Sequence, residues 1–589
     1  MEFLSPLLKD ERVRNTLSDV ENLEIPHPGG VLLSEFIEQA LDPIAAATYV
    51  DSRLSDDGNQ NALALLSDWI YIVESVSKGR TFPSRPDKEA RRQITERDGY
   101  KCCITGRRGS VFDPLCVVPI LPLPVGWLTE RETIFEMLGV FFGPSYRDWW
   151  LSYIRNPRLL TPYDNHWLVR RSAAKAFAEG SVCLLRRQGS MIQFRVDFTR
   201  VGYKEQIHVD GTLPILGDHS RRGLTTADAR LIGTHARMAS SFQFLTIASR
   251  IAPEILGEPP LSLVSPALHA PQVNNGLAPQ GVSMRSIFRL PITAFGSIFH
   301  KLWLWMPNAV RLAAYRLLQR MGRALYGSPD GYASVQRLPF GLYLKYNREL
   351  DSVRNEFNAL RLVRQHTTIP VPKPLDVVTA PTTDSNVDEA DPFLPSFCLN
   401  SYLLTTRMPG VPLSTCNDLL SGRDLERIAA QLKHYITQLR TIPNTVNKKA
   451  PICDTLGGPC RDARIRGGDS VGPFADEAAF SQMLRIPDEP SRRGHEIMFS
   501  HADLNPRNIL VEEHVQPDGS VTWNVSGFVD WEFSGYFPEY WEYTKALFEG
   551  FRWPKRYNNM IHSVFKEFGD YSKELDIETR CWEMGDGRS

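Results

Sequence analysis

Two polar motifs, joined by apolar runs, constrain this chain more than any other feature. The first runs from His501 to Asn508 (HADLNPRN) and the second from Gly527 to Glu532 (GFVDWE). In the first motif an Asp stands two residues after a His, and an Asn follows five residues beyond that Asp. This spacing suits a loop in which Asp503 takes the proton of an attacking hydroxyl while Asn508 turns back to hold Mg²⁺.

The residues between the two motifs predict a strand hairpin. An apolar run at 509–511 leaves the first motif, a polar turn follows at 517–520, and a second apolar run at 525–529 returns the chain. The hairpin would bring Asp530 beside Asn508, and two oxygen ligands at strand ends are what a nucleotide-bound Mg²⁺ requires. Either motif alone would also fit polar residues in surface turns, but both in this order favour kinase-like phosphoryl transfer.

Composition limits the kind of protein. The chain has 589 residues, long enough for about two to four domains, and its 42 % hydrophobic and 23 % charged residues are typical of soluble globular proteins. A net charge of −1 gives no general attraction to nucleic acid or anionic membranes. Nine cysteines without a C-x-x-C pair argue against a disulfide framework or a cysteine zinc site. The charged N-terminal region is unlike a signal peptide. We therefore expect a cytoplasmic or nuclear protein that is not secreted.

One stretch, residues 287–314, is rich enough in Leu, Phe, Trp and Ala to be tested as a membrane span. Four residues interrupt its apolar character: His300, Lys301, Pro307 and Arg311. Because no apolar run of about eighteen residues remains, we expect no membrane span. Trp303 and Trp305 are then predicted to be packing residues.

Upstream of the motifs, a lysine and a glutamate predict a second part of the same centre. Lys345 lies in the short apolar strand 343–346, and Glu356 lies in the helix predicted over 350–365. Lys345 could reach nucleotide phosphates while Glu356 holds it in position. These two residues alone would fit an exposed Lys and a solvated helical Glu better, and the downstream motifs reverse that preference.

Three further segments bear on a nucleotide site. A strand at 401–408 ending in Pro409-Gly410 could connect two lobes and offer backbone groups to adenine, and an amphipathic helix is predicted over 424–440 beneath the motif loop. A glycine-rich phosphate loop would be expected before Lys345, but only Gly327 and Gly331 occur there. The phosphates would therefore depend more on Lys345 and Mg²⁺.

The second half, from about Trp305, resembles the fungal aminoglycoside phosphotransferase-like (phosphotransferase enzyme) family, which has a protein-kinase-like fold. The resemblance lies in five strings: YLKY, NEFNALRLVRQHTTIPVPKPL, TRMPGVPL, FSHADLNPRNILV and VDWEFSGYFPEYWEYTKAL. It implies that Asp503 is the catalytic base, that Asn508 and Asp530 hold Mg²⁺, that Lys345 contacts ATP and that Glu356 pairs with Lys345. The family commonly has Gly at the position of Ala502.

The first half resembles a different family, the fungal H-N-H endonuclease domain with its ββα-metal fold. The resemblance lies in three strings: RDGYKCCITGRRGS, CVVPILP and NHWLVRRSAAKAFAEGSVCLL. Where the family has a general-base His and a metal-binding His, this chain has Pro119 and Ala174, and only Asn165 matches. Proline and alanine can neither take a proton nor bind a metal, so the resemblance implies a degenerate nuclease domain. His166 could be considered as a substitute, but a neighbouring strand residue points to the opposite face.

Nucleic-acid binding by this first half is the less favoured alternative. Four basic pairs could meet phosphates: Arg91-Arg92, Arg107-Arg108, Arg170-Arg171 and Arg186-Arg187. Acidic residues such as Glu89, Glu96 and Asp113 lie among them, and such charges are usually solvated surface.

These observations predict an α+β protein in four regions. Residues 1–90 form a helical N-terminal segment, residues 91–252 the degenerate ββα-metal (HNH-like) domain, and residues 301–589 a bilobal protein-kinase-like domain. Residues 253–300, which are rich in Pro, Gly, Asn and Gln, form the linker. A polar tract at 379–391 is predicted to be an exposed loop. The linker also leaves open that two separate coding units were joined there.

The predicted function is ATP- and Mg²⁺-dependent phosphoryl transfer to a hydroxyl of a small molecule. A small acceptor is favoured because the chain runs directly from Asp530 into a helix, without a long segment that could hold a peptide. Glu532, Glu539 and Glu542 make that region acidic, which would suit a cationic acceptor or equally be ordinary surface. The alternative is a nucleic-acid-binding or adaptor protein with a dead HNH domain and an inactive kinase half.

Overall fold

The structure is a computed structural model that divides into two compact units. Unit 1 comprises Met1–Ala267 and Asp418–Gly422, and unit 2 comprises Leu268–Asn417 and Arg423–Ser589. The residues it describes are 10–54, 58–77, 86–122, 131–156, 161–187, 190, 192–199, 216–256, 302–326, 335–347, 349–381, 399–462, 464–465, 469–487, 489–516, 520–548 and 550–583. Most of the predicted linker, most of the polar tract 379–391, and Gly327 and Gly331 lie outside these residues. The boundaries of the four predicted regions stay predictions.

Unit 1 begins with helices. They are α1 (Glu11–Asn22), α2 (Gly29–Gln39), α3 (Pro43–Leu54), α4 (Gly58–Ser77) and α5 (Lys88–Arg97). Aspartates cap two of them, since Asp10 accepts from the amide of Arg12 and Asp87 from the amide of Ala90. The buried face of α2 carries Phe36, whose ring packs 5.1 Å from the fully buried ring of Trp69. The helical spacing of apolar residues in this region therefore predicts the helices correctly.

The remainder of unit 1 mixes strands and helices. The elements are β1 (Leu115–Pro119), α6 (Glu132–Phe142), α7 (Pro144–Arg155), α8 (Pro162–Asn165), β2 (His166–Arg170), α9 (Arg171–Ala178), β3 (Val182–Arg186), β4 (Phe194–Phe198) and α10 (Ala229–Ile251). Strands β1 and β2 pair antiparallel, with Pro119 opposite His166. Three helices, α6, α7 and α8, separate β1 from β2 in the chain, and α9 follows β2 directly.

Unit 2 begins with a helix and an antiparallel sheet. The elements are α11 (Asn308–Tyr326), β5 (Val335–Leu338), β6 (Leu342–Asn347), α12 (Leu350–His366), β7 (Pro374–Pro381) and β8 (Leu399–Thr406). The strand order is β5-β6-β8-β7, so β6, which carries Lys345, is an inner strand. Helix α12 buries Val353, Leu360 and Val363 and turns Glu356 inward with them. The predicted strand, helix and second strand are thus confirmed.

The larger part of unit 2 follows β8. Its elements are β9 (Val411–Pro412), α13 (Leu413–Cys416), α14 (Gly422–Arg440), β10 (Cys453–Asp454), α15 (Glu477–Ser481), β11 (Ile497–Ser500), β12 (Ile509–Val515), β13 (Val521–Phe528), β14 (Gly535–Pro538), α16 (Trp541–Ala546), α17 (Lys555–Phe565) and α18 (Ser572–Glu583). The strands form two sheets, β13-β12-β9 and β10-β14-β11. The predicted amphipathic helix is α14, and its Gln431 accepts from the amide of Val525 on β13 at 2.7 Å.

The turn after β8 depends on a glycine. Gly410 has φ +87°, and a Cβ there would lie 2.2 Å from Oγ of Ser526 and 2.5 Å from the carbonyl oxygen of Val511. Only glycine therefore lets this turn approach the β12–β13 hairpin.

Among the described residues, none of the helices has the length and apolar character required to cross a bilayer. The two tryptophans predicted to pack behave differently. The indole N–H of Trp303 donates to the hydroxyl of Tyr315 at 2.8 Å, as a packing residue would. Trp305 is 87 % exposed, so the packing prediction is wrong for this residue.

Candidate functional site

The hairpin of β12 and β13 brings the two polar motifs to one end. Ile509, the first residue of β12, pairs with Phe528, the last residue of β13. One residue beyond this pair, just before β12 and just after β13, the amide of Val529 donates to the carbonyl of Asn508 at 3.1 Å. The predicted pairing is confirmed, and Asp530 emerges beside the loop that carries Asn508. Of the predicted turn at 517–520, only Ser520 is among the described residues.

Asp503 and Asn508 are joined across the loop. The side-chain amide nitrogen of Asn508 donates to the carbonyl oxygen of Asp503 and to its carboxylate Oδ2, both at 2.8 Å. Burial raises the pKa of Asp503 to about 6, although the ammonium group of Lys545, 3.7 Å from Oδ1, acts in the opposite direction. The loop thus presents a largely enclosed carboxylate that two neighbours hold in one orientation.

His501 supports this loop from inside. Its Nδ1 accepts from the amide of Asp503 at 3.2 Å, so its Nε2 carries the proton and donates to the carbonyl of Val529 at 3.0 Å. Burial lowers the pKa of His501 to about 4, which keeps the ring neutral. The histidine therefore ties the first motif to the strand that ends the second motif.

The residue after His501 has a backbone conformation that favours glycine. Ala502 has φ +60°, which costs an L-residue roughly 1–2 kcal/mol. Glu542 of α16 holds this turn, because its Oε2 accepts from the amides of His501 at 2.6 Å and Ala502 at 3.3 Å. The glycine that the sequence resemblance leads one to expect at position 502 thus has a conformational reason.

Lys345 lies among three carboxylates. Its Nζ is 2.8 Å from Oε2 of Glu356, 3.1 Å from Oε2 of Glu532, and in contact with Oδ1 of Asp530. The predicted Lys345–Glu356 pair is present, and Glu532 is an addition to it. One positive and three negative groups are in direct contact here, which leaves a local excess of negative charge. Such an imbalance is unfavourable in a protein interior.

The pKa shifts in this cluster follow from burial and charge. Burial lowers the pKa of Lys345, but the three carboxylates outweigh it and hold the pKa well above its usual range. Burial raises the pKa of Glu356 to about 6. Burial also acts to raise the pKa of Asp530, but the charge of Lys345 outweighs it and the pKa lies below its usual value. Asp530, with 37 % of its side chain exposed, is the most open carboxylate of the cluster.

The donor atoms suit a hard cation such as Mg²⁺. Carboxylate oxygens of Glu356, Asp530 and Glu532 all lie within 4.8 Å of one another. Both hydrogen bonds that Asn508 makes to Asp503 use its amide nitrogen, so its amide oxygen remains as a ligand atom. Asp530 likewise contacts Lys345 through Oδ1, leaving its second oxygen. Amide and carboxylate oxygens are the usual protein ligands of Mg²⁺, and a divalent cation would offset the excess negative charge.

Sequence reasoning did not identify Lys545, which contacts both Asp503 and Asp462. Its Nζ lies 3.3 Å from Oδ1 of Asp462. The carboxylate of Asp462 is also paired with Arg464 at 2.9 Å and accepts a hydrogen bond from the indole N–H of Trp541 at 3.1 Å. The side chain of Lys545 is only 4 % exposed. All six residues of the aromatic-rich helix α16 are buried, and a lysine in such a helix needs an anionic partner. The aromatic-rich composition around Lys545 was the sequence signal that could have identified this residue.

The three acidic residues after Asp530 all make contacts within unit 2. Glu532 pairs with Lys345, and Glu542 is buried against backbone amides. Glu539 accepts from the hydroxyl of Tyr571 at 3.0 Å and lies 3.6 Å from Arg440. Each carboxylate is thus engaged inside unit 2, and the suggested attraction for a cationic acceptor has no support from these residues.

In unit 1 the polar residues of the nuclease-like strings have structural partners. The side chain of Asn165 donates to the carbonyl of Leu121 at 2.8 Å and accepts from its amide at 3.1 Å. His166 is 2 % exposed, its Nδ1 lies 3.0 Å from the carbonyl of Pro162, and burial lowers its pKa. His166 is therefore poorly placed to replace the missing base.

The basic pairs of unit 1 are partly neutralised. Arg170 pairs with Asp113 at 2.9 Å, and Arg92 pairs with Glu89 at 2.6 Å and with Glu96 at 2.7 Å. These contacts weaken the case for a phosphate-binding surface, as the interspersed acids in the sequence suggested.

Comparison with protein families gives a match within unit 2. Residues 342–569 match the phosphotransferase enzyme family. The match includes Lys345, Glu356, Asp503, Asn508 and Asp530. It does not extend to residues 91–252, and the predicted HNH relationship is unsupported. A search of curated proteins finds no match.

Several solved aminoglycoside phosphotransferases are similar to the chain at low identity. A thermostable mutant of APH(4)-Ia, in a ternary complex with ADP and hygromycin B, is 13 % identical over 45 % of this chain and 85 % of its own, with TM-score 0.28. The GDP complex of aminoglycoside 2'-phosphotransferase-IIIa is 13 % identical over 46 % and 86 %, with TM-score 0.29. APH(3'')-Id from Streptomyces rimosus ATCC10970 is 16 % identical over 46 % and 97 %, with TM-score 0.27.

Proposed function

We propose that unit 2 transfers the terminal phosphoryl group of ATP to a hydroxyl of a small molecule, with Mg²⁺ as cofactor. One observation carries this proposal: a lysine surrounded by three carboxylates lies at the hairpin end that also carries the Asp503–Asn508 loop. This combination supplies a cation for phosphates, ligands for a metal and a base for an acceptor. The match of residues 342–569 to a phosphotransferase family supports the same chemistry.

The nucleotide would be held by Lys345 and the metal ligands. Asn508 and Asp530 would bind Mg²⁺, which when bound neutralises charge on the transferring phosphoryl group. Lys345 would exchange its contact with Asp530 for the phosphates, while Glu356, 2.8 Å from Nζ and buried, keeps the ammonium group in position. Glu532 provides a second anchor for Lys345 at 3.1 Å.

Asp503 would act as the general base for the acceptor hydroxyl. Its Oδ2 is held by the amide of Asn508, and Oδ1 faces Lys545 at 3.7 Å. Lys545 is a positioning residue in this proposal: it favours the ionised carboxylate and keeps it oriented. A hydroxyl that donates to Asp503 loses its proton as its oxygen bonds to the terminal phosphorus and the bond to ADP breaks.

A small acceptor fits the short path that follows Asp530. Strand β14 begins at Gly535 and helix α16 at Trp541, so few residues separate the metal ligand from regular structure. A peptide acceptor would need a longer segment to lie against. The alternative of a nucleic-acid-binding or adaptor protein gains no comparable observation.

A screen of hydroxyl-bearing small molecules with purified full-length protein, ATP and Mg²⁺ would test the proposal. Asp503→Asn should bind ATP like the wild type, because the nucleotide does not contact this carboxylate. Its turnover should fall by roughly 10²-fold or more, the range expected for loss of a positioned base. Wild-type turnover by Asp503→Asn would exclude the assigned mechanism. No turnover by either protein, together with nucleic-acid binding by both, would favour the adaptor alternative.

For unit 1 we infer a ββα scaffold that does not hydrolyse nucleic acid. The antiparallel pairing of β1 with β2 and the position of α9 directly after β2 support the scaffold, and Pro119 and Ala174 remove the base and one metal ligand. Full-length protein should not nick plasmid with Mg²⁺ or Mn²⁺. Metal-dependent nicking that disappears in His166→Ala would contradict this inference.

A further inference from the structure

Helix α11 has an apolar face that is open to solvent. Val310, Leu317, Met321 and Leu325 recur at intervals of seven, four and four residues, which places them along one side of the helix. Their exposed fractions are 42 %, 58 %, 40 % and 63 %. A run of large exposed apolar side chains on one helix face is unusual for a soluble domain and indicates a binding surface.

The opposite face of the same helix is firmly packed. The hydroxyl of Tyr315 donates to Asp376 on β7 at 2.6 Å, and Arg311 pairs with the same carboxylate. A Cβ at Gly322 would lie 2.2 Å from the carbonyl oxygen of Arg337 on β5, so the helix backbone lies directly against the sheet. The exposed stripe is therefore held by a fixed helix within unit 2.

The residues just before α11 are also apolar and exposed. Leu302, Leu304, Trp305 and Met306 are 60 %, 41 %, 87 % and 43 % exposed. Tryptophan is favoured at the boundary between apolar and aqueous phases, because its ring is apolar while its N–H can remain hydrated. We call Leu302–Met306 and the stripe on α11 together the α11 surface.

Basic side chains flank the stripe. Helix α11 carries Arg311, Arg316, Arg320 and Arg323 and no Asp or Glu. Arg316, Arg320 and Arg323 are exposed, and none of them forms an ion pair with another described residue. At about 100° per residue Arg320 lies nearest the stripe, and Arg316 and Arg323 lie further round the same side of the helix. The α11 surface thus combines apolar side chains with three uncompensated positive charges.

We propose that the α11 surface docks peripherally on an anionic phospholipid membrane. An apolar stripe beside arginines matches the acyl-chain boundary and the negatively charged headgroups of such a surface. A second copy of the chain is the weaker candidate. In a two-fold interface the same patch meets itself, which would bring the arginines of both copies close together. Docking of this kind is independent of the phosphoryl-transfer proposal.

Vesicle sedimentation of the full-length protein would test the proposal. The wild type should bind vesicles containing phosphatidylserine, bind phosphatidylcholine vesicles much more weakly, and lose binding as salt is added. Leu317→Glu combined with Met321→Glu should reduce the partition coefficient by roughly tenfold or more. Replacing Arg316, Arg320 and Arg323 by Gln should reduce it by roughly a hundredfold, since each basic residue near the surface contributes about a factor of five.

Val515→Glu is the matched control, because Val515 is 71 % exposed on β12, away from α11. It should leave vesicle binding at the wild-type level, and all variants should unfold at temperatures near that of the wild type. Absence of phosphatidylserine-dependent binding would overturn the proposal, as would binding that the glutamate pair leaves unchanged. Sedimentation equilibrium provides the remaining outcome: a wild-type dimer that Leu317→Glu converts to monomer would identify the partner as a second copy instead.

Discussion

The two units each bury a charged cluster, and the partners of those clusters differ. In unit 1 Arg97 is 1 % exposed and pairs with Asp98 at 2.6 Å. Its remaining donors reach backbone carbonyls of His166 at 2.7 Å and Tyr163 at 2.8 Å. Asp98 in turn accepts from the amide of Leu168 at 2.8 Å. Every group has a fixed partner, and one positive charge meets one negative charge.

In unit 2 the cluster is unbalanced. Lys345 meets three carboxylates, whose oxygens lie within 4.8 Å of one another. A balanced buried pair with backbone partners stabilises one fold, whereas an excess of charge at an accessible edge prepares a site for a ligand. Burial of charge alone therefore does not distinguish the two clusters. Their charge balance and the type of partner distinguish them.

Breaking the balanced pair should have the largest effect on stability. Arg97→Met leaves Asp98 buried without its cation and should lower the free energy of unfolding by about 3–5 kcal/mol. Arg92→Met is the matched control, because Arg92 forms an exposed pair with Glu89 and its loss should leave stability near that of the wild type. Calorimetry on the full-length variants would measure both. Equal, small changes would show that the Arg97–Asp98 pair is not the structural element described above.

Two histidines, one in each unit, should contribute pH dependences of opposite sign. His235 of unit 1 is buried, its Nε2 lies 2.6 Å from the carbonyl of Phe177, and burial lowers its pKa to about 4. The unfolded chain binds the proton more readily below pH 6.5, so the contribution of His235 to stability falls by about 2 kcal/mol between pH 7 and pH 5. His235→Phe should largely remove this part of the loss.

His495 of unit 2 has the reverse behaviour. Its hydrogen bond to Glu477, at 2.9 Å, raises its pKa, so its contribution is complete below pH 6.5 and is lost as the pH rises through the raised value. His495→Gln should therefore destabilise the protein more at pH 5.5 than at pH 8.5. Calorimetry across this range would check both variants, and parallel pH profiles for the two would refute the contrast.

A smaller effect on turnover is expected from Lys545. Lys545→Met should reduce kcat roughly tenfold, because Asp503 loses the neighbouring cation that orients it, while KM for ATP stays unchanged. Lys545→Arg should restore part of the rate. Lys433→Met is the control, since Lys433 forms an exposed pair with Glu567 and lies away from the site. A change in KM for ATP without a change in kcat would indicate that Lys545 acts on nucleotide binding and not on the acceptor.

Much of unit 2 could be predicted from local sequence. The apolar runs beside the two motifs predict β12 and β13, and helical spacing predicts α12 and α14 because their buried residues recur with the helix period. The Lys345–Glu356 pair was also predicted, since a strand followed by a helix brings them together. Glu532 and Lys545 could not be assigned contacts, because these depend on how distant elements pack around Lys345 and Asp503.

Sequence also misled at two places for physical reasons. Trp305 was expected to pack because large apolar residues usually do, but it is 87 % exposed, while Trp303, two residues earlier, packs against Tyr315. The acidic residues after Asp530 suggested a charged surface, yet Glu542 lies in an aromatic helix whose six residues are all buried. Composition reveals which residues are charged, while tertiary packing decides what they meet.

The central claim is that the charge excess around Lys345 is a site for Mg²⁺ and ATP. Thermal unfolding of the full-length protein with ATP, with and without Mg²⁺, tests it most directly. ATP should raise the melting temperature further when Mg²⁺ is present, and Asp530→Ala should remove most of that Mg²⁺-dependent increase while Arg92→Met retains it. An Mg²⁺-dependent increase that survives unchanged in Asp530→Ala would contradict the claim.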